Sequence, residues 1–131
     1  MKKSNNGYIT LLNAVVIDTA VASGVVAVTV ANPFSGTAYL TIVTASETSA
    51  SSLNLAITAP LGAGTDQTIV SALTTPITTN TTNVYLIGST ATAAGAVVQV
   101  FGFPLPKRFI VTFTNTGTTS TFTVTAALAF C

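Results

Sequence analysis

Leu53-Asn54-Leu55-Ala56-Ile57-Thr58 alternates apolar residues with small or polar ones. A two-residue period marks a half-buried β-strand, because successive side chains of an extended chain point to opposite faces. Pro60, Gly62 and Gly64 follow and close the run. Further short β-prone runs, separated by turn signals, lie on both sides of it. Upstream lie Ala14 to Thr19, Gly24 to Val30 (ended by the turn-starting pair Asn32-Pro33) and Ala38 to Thr44. Downstream lie a weaker run from Thr68 to Ala72, then Val84 to Ile87, Ala96 to Phe101, Phe109 to Thr114 and Phe122 to Ala126. The polar stretch Ser46 to Ser52 reads as a loop, and Thr74 to Asn83, broken by Pro76, as a long loop or edge segment. Phe109–Thr114 and Phe122–Ala126 flank Asn115 to Ser120 and read as a β-hairpin with a Gly-containing loop.

About eight short strands at roughly ten-residue spacing predict an all-β fold: a single β-sandwich or jelly-roll domain of antiparallel strands. Composition agrees. Roughly a fifth of the chain is threonine, which with Val and Ile suits a pleated surface. Helix formers such as Glu, Lys and Arg are scarce. Residues 1–12 are expected to form an N-terminal arm and residues 13–131 the sandwich, with Phe101, Phe103, Phe109, Phe113 and Phe122 as packing residues.

The chain has 131 residues, 49% hydrophobic and only 5% charged, where soluble domains carry about 25% charged. A net charge of +1 gives little repulsion to resist association, and interface cores are depleted in charge. Much of the surface is therefore expected to be buried against neighbours. The basic residues form two pairs, Lys2–Lys3 and Lys107–Arg108, read as solvated or as halves of intersubunit salt bridges. They are too few for the counterion displacement of a nucleic-acid binder.

Histidine is absent, so the commonest general base, the Ser-His-Asp triad and His metal sites are excluded. The carboxylates are Asp18, Glu47 and Asp66, with no motif that would face two of them across a substrate. One cysteine, Cys131, rules out an intrachain disulfide and a Cys-based zinc site. Gly62-Ala63-Gly64 lacks the Gly, Lys and helix of a phosphate-binding loop. No enzyme activity, cofactor, metal or small-molecule substrate is expected.

Met1-Lys2-Lys3 is followed by polar Ser4-Asn5-Asn6-Gly7 where a signal peptide would turn apolar. Ile9 to Val30 is interrupted by Asn13, Asp18, Ser23 and Gly24, which does not suit a membrane span. Folding in the cytosol and no membrane partner are the expectations. Asn80-Thr81-Thr82 matches the glycosylation acceptor pattern and is read as chance within a Thr-rich loop.

The stretch from Lys107 to Ala126 resembles the closing hairpin of tailed-phage virion structural proteins of the capsid decoration or cement type. In these a basic-aromatic pair opens a strand, a Thr/Gly turn follows and a Phe-Thr-Val strand ends the domain. Ser52-Leu53-Asn54-Leu55-Ala56-Ile57 resembles an earlier strand of the same domains. The resemblance implies a β-sandwich on the capsid surface, a dimer or trimer of itself, and a major capsid protein as partner. The low surface charge and long apolar N-terminal region depart from the family and leave a tail, fibre or filament role open.

Contacts are expected from Lys2, Lys3, Tyr8, Ile9, Leu11, Leu12, Lys107, Arg108 and Cys131. Two alternatives stand beside the virion reading. One is an extracellular pilin-like filament subunit donating the segment around Ile9 to Val16. The other is a carbohydrate-binding module, for which Tyr8, Tyr39 and Tyr85 are the available platforms.

Overall fold

Arg108–Asn115 (β8) carries Phe109, Val111 and Phe113 on one face, and Thr121–Phe130 (β9) carries Phe122, Val124, Ala126 and Leu128 on one face. All seven are essentially fully buried in one core cluster, while the intervening threonines and Ile110 face outward. These two strands are interior strands of two facing sheets. The structure is a computed structural model, and it describes residues 8–20, 24–31, 33, 35–48, 51–60, 66–88, 97–117 and 119–130. Among these residues there are nine strands and no α-helix. The remaining strands are β1 (Tyr8–Asp18), β2 (Val25–Ala31), β3 (Ala38–Ala45), β4 (Leu53–Pro60), β5 (Asp66–Val70), β6 (Thr82–Ile87) and β7 (Val97–Phe101).

The five-stranded sheet runs β1-β9-β3-β6-β7 and the four-stranded sheet β2-β8-β4-β5. Pairing is nested. β1 pairs with β9, β2 with β8, β3 with β6 and β4 with β5, every pair antiparallel. This is one long antiparallel ribbon whose successive segments alternate between the sheets. The pairings β3–β9 and β4–β8 then zip the folded ribbon together. That winding is the double Greek key of a jelly roll. Strand β7 is an addition, parallel to β6.

The expected closing hairpin is not formed. β8 and β9 belong to opposite sheets, each already flanked on both edges: β8 by β2 and β4, β9 by β1 and β3. The segment after Asn115 therefore arches from one sheet to the other. Phe109, Phe113 and Phe122 are core packing residues as expected, but a β-prone run carries no information about which edge a strand pairs with. The arch is held by buried, uncharged polar groups. Asn115 Nδ2 donates to the carbonyls of Ile17 (3.1 Å) and Ser120 (3.3 Å). Its Oδ1 accepts from Ser52 N–H (3.3 Å) and Ser120 Oγ (3.4 Å). Thr19 N–H donates to Ser120 O (3.0 Å), and Ser120 N–H donates to Thr19 Oγ1 (2.8 Å). Gly24, at φ +69°, passes so close that a Cβ there would sit 2.5 Å from Asn115 O.

Strand β1 also departs from expectation. Residues 8–12, expected within the arm, are the first half of a strand paired to β9, and the segment Ile9 to Val16 is thus engaged within its own chain. A bulge between Thr10 and Leu12 turns consecutive Leu11 and Leu12 both inward, which hides the strand from a search for strict alternation. Residues 1–7 lie outside the described residues. The Thr-rich loop is likewise anchored: Leu73 and Ile77 are buried, and Ile77 exchanges two backbone hydrogen bonds with Leu53 (2.7 and 2.9 Å).

Replacing Asn115 by alanine removes the partner of the Ile17 carbonyl in β1 and of the Ser52 N–H ahead of β4, at about 1–3 kcal/mol for each group left unsatisfied. Asn115→Ala is expected to lower the unfolding free energy by about 2–4 kcal/mol in urea titration. A loss within about 0.5 kcal/mol, the range of neutral surface changes, would show that the arch does not depend on this side chain.

Candidate contact surfaces

The acidic groups are dispersed. Asp18 ends β1 and accepts from Ala20 N–H at 2.8 Å, closing its own turn. Glu47 lies in the β3–β4 loop, where its backbone N–H donates to Asn80 Oδ1 at 2.9 Å. Asn80, the first residue of the glycosylation pattern, is thereby a loop tie. Asp66 opens β5. Among the described residues no three acidic, His or Cys groups converge to hold a metal. The polar groups that do converge, Thr19, Asn115 and Ser120, satisfy one another at the arch.

Of the residues expected at contacts, Lys2, Lys3 and Cys131 lie outside the described residues. Lys107 and Arg108 are exposed where the chain enters β8, with Arg108 opposite Ala31 of β2 at one end of the four-stranded sheet. Leu11 and Leu12 are only 8% and 5% exposed and belong to the core of this chain, so they are not part of its outer surface. Ile9 is partly buried against the same core. Tyr8 faces outward.

Registers across the five-stranded sheet place Tyr8 with Ala129, Ala129 with Tyr39, Tyr39 with Leu86 and Leu86 with Val100. These five residues form one rung running across all five strands of the outer face. Tyr8 is 43% and Tyr39 39% exposed, with only a small alanine between them. At about 4.8 Å per strand the two tyrosine backbones stand about 10 Å apart. The sequence separation of 31 positions gave no hint of this neighbourhood. Val43, also exposed, lies further along β3 on the same face. Tyr85, the third candidate platform, points the other way. It is 1% exposed and stacks on Phe101 with ring centroids 6.0 Å apart.

A second feature is the flank where β1 and β2, edge strands of different sheets, run beside each other. A recess of about 340 Å³ opens there, lined by Ile9 to Leu11 and Val28 to Ala31. Val26 and Val28 point toward the core yet remain half-buried, unlike their counterparts on β8.

Burial pushes the Tyr85 hydroxyl above its ordinary value of 10.0, the nearby Asn83 side chain offsetting part of the rise. The hydroxyl oxygen is buried without a hydrogen bond of good geometry. Tyr85→Phe is therefore expected to leave stability unchanged or raise it by about 1 kcal/mol. The unfolded chain loses this proton more readily than the folded one, so the group's contribution holds below pH 10 and is lost above it. Urea titrations of both proteins at neutral and strongly alkaline pH test this. A clear destabilisation of Tyr85→Phe at neutral pH would contradict it.

No family model matches this chain, and no curated protein or solved structure does either.

Proposed function

We propose that this chain is a non-enzymatic structural subunit of a larger assembly, placed at a virion surface as a capsid decoration or cement protein. One observation carries the reading: within the strands, acidic and basic residues occur only at the ends, as Asp18, Asp66 and Arg108. Both outer faces of the sandwich are therefore free of charge across their middles. A soluble monomer usually spreads charge over roughly a quarter to a third of its surface, whereas the middle of an interface is depleted in it. The exposed Tyr8, Tyr39 and Val43 on one such face support the same reading. The jelly-roll winding is a fold used by capsid proteins, and also by lectins and cupins. Winding alone does not assign a function, so the weight rests on the uncharged faces. The virion placement is the narrower part of the proposal, because Lys107 to Ala126, the stretch that suggested it, forms an arch between sheets and not a closing hairpin.

The rung of Tyr8, Ala129 and Tyr39 favours a second reading, a platform for a neutral polysaccharide. Two flat aromatic rings with polar rims on a face otherwise rich in threonine suit the apolar faces and hydroxyl edges of sugar rings.

Light scattering on the size-exclusion peak, with negative-stain imaging of the same fraction, tests the leading reading. A closed dimer or trimer is the expected result. Open-ended fibres would move the assignment to a filament subunit, and a single-chain mass at every concentration would overturn assembly altogether. For the second reading, binding to a neutral-glycan array should be lost in Tyr39→Ala and kept in Tyr85→Phe. An array without any bound glycan would remove it.

A further inference from the structure

A sheet edge offers unpaired backbone groups to any other strand, and proteins blunt such edges with bulges, charges, prolines or short strands. Four strands end the two sheets here: β1 and β7 in one, β2 and β5 in the other. Three are blunted. β1 carries two register shifts and a positive φ (51°) at Ala14. β5 has five residues, a register shift and Asp66 at its start. β7 has five residues and a register shift against β6.

β2 has none of these protections. Val25-Val26-Ala27-Val28-Thr29-Val30-Ala31 keeps an unbroken register with β8 over seven residues, with no charge, proline or glycine. Among the described residues its other edge pairs with nothing.

We propose that β2 is an intersubunit strand that pairs antiparallel with β2 of a second copy of this chain, centred on Val28. This inference rests on the assembly reading above and names its contact. The sequence of β2 is self-complementary about that centre. Val28 meets its own mate, Ala27 meets Thr29, Val26 meets Val30 and Val25 meets Ala31. As in any antiparallel pairing, each pair joins residues of the same face; here outward Val25, Ala27, Thr29 and Ala31 and inward Val26, Val28 and Val30 are all small or β-branched and uncharged. A two-fold contact sets identical surfaces against each other, and an uncharged strand brings no like-charge repulsion to it. The valines that gain a neighbour, Val26 and Val28, are the ones the single chain leaves half-buried, and Val28 borders the recess shared with Ile9 and Leu11. Pairing would also consume the one unprotected edge among the described residues, so association through it stops at two copies.

The register is tested by cysteine cross-linking in the full chain carrying Cys131→Ser. Val28→Cys sets each thiol opposite its mate, with Cβ atoms about 4.5–5.5 Å apart, near enough for a disulfide with slight adjustment. Val25→Cys stands about 20 Å from its own mate, six residues away along the strand. Mild oxidation is expected to give a covalent dimer of Val28→Cys and none of Val25→Cys on a non-reducing gel. Thr29→Lys, at an exposed position, should weaken the dimer at least about tenfold while circular dichroism stays unchanged. If the unmodified chain associates but Val28→Cys does not cross-link, or both cysteines cross-link equally, the β2 contact is wrong and the assembly reading stands. If Tyr39→Lys weakens association and Thr29→Lys does not, the contact lies on the outer face of the five-stranded sheet instead. If the unmodified chain is monomeric throughout, both fall.

Discussion

Phe109 and Phe113 on β8 and Phe122 on β9 occupy one core between two sheets, and the rest of the fold follows from their facing each other. Each buried aromatic contributes on the order of 1.5–3 kcal/mol by leaving water. To collect that contribution from both strands, the chain must turn from one sheet to the other between Asn115 and Ser120. Once β8 and β9 lie in opposite sheets, each has two free edges. β2 and β4 take those of β8, while β1 and β3 take those of β9. The nested ribbon is the way one chain fills all four places without crossing itself.

Turning between sheets exposes backbone groups that a hairpin would have paired. The chain meets this with neutral polar side chains, not with charges. Asn115, Ser120, Thr19 and Ser51 satisfy buried donors and acceptors at one end of the sandwich. Ser51 Oγ, for example, shares its one hydroxyl hydrogen between the carbonyls of Thr48 (2.7 Å) and Thr121 (3.0 Å). At the far side of β3, Thr44 Oγ1 donates to Thr79 O at 2.8 Å and ties down the Thr-rich loop. Threonine thus serves twice in this molecule. In strands its branched side chain packs on the pleat, and in loops its hydroxyl replaces the hydrogen bonds that ladders cannot supply.

The same economy in charge shapes the surface. With Asp18, Asp66 and Arg108 at strand ends, nothing on the sheet faces repels a second uncharged face. Protection from uncontrolled association then falls to the edges, where bulges and short strands do what lysines do in other β proteins. β1 shows the device plainly: its bulge twists the outer edge while delivering Leu11 and Leu12 to the core. β2, regular and uncharged, is where that protection is missing.

Alternation in Leu53 to Thr58, together with β-prone runs such as Phe109 to Thr114 and Phe122 to Ala126, was sufficient to determine the all-β class. This is so because a two-residue period is a local property of extended chain. The lack of histidine and of charge was equally legible, being composition. Pairing partners were not legible, since any uncharged Thr/Val strand can lie beside any other, and the apparent hairpin of β8 and β9 became an arch. Only the tertiary structure sent Tyr85 into the core and brought Tyr8 beside Tyr39, because register across three strands decides which distant residues share a rung. It also made Leu12 a core residue, by way of a bulge that breaks the very period by which strands are read.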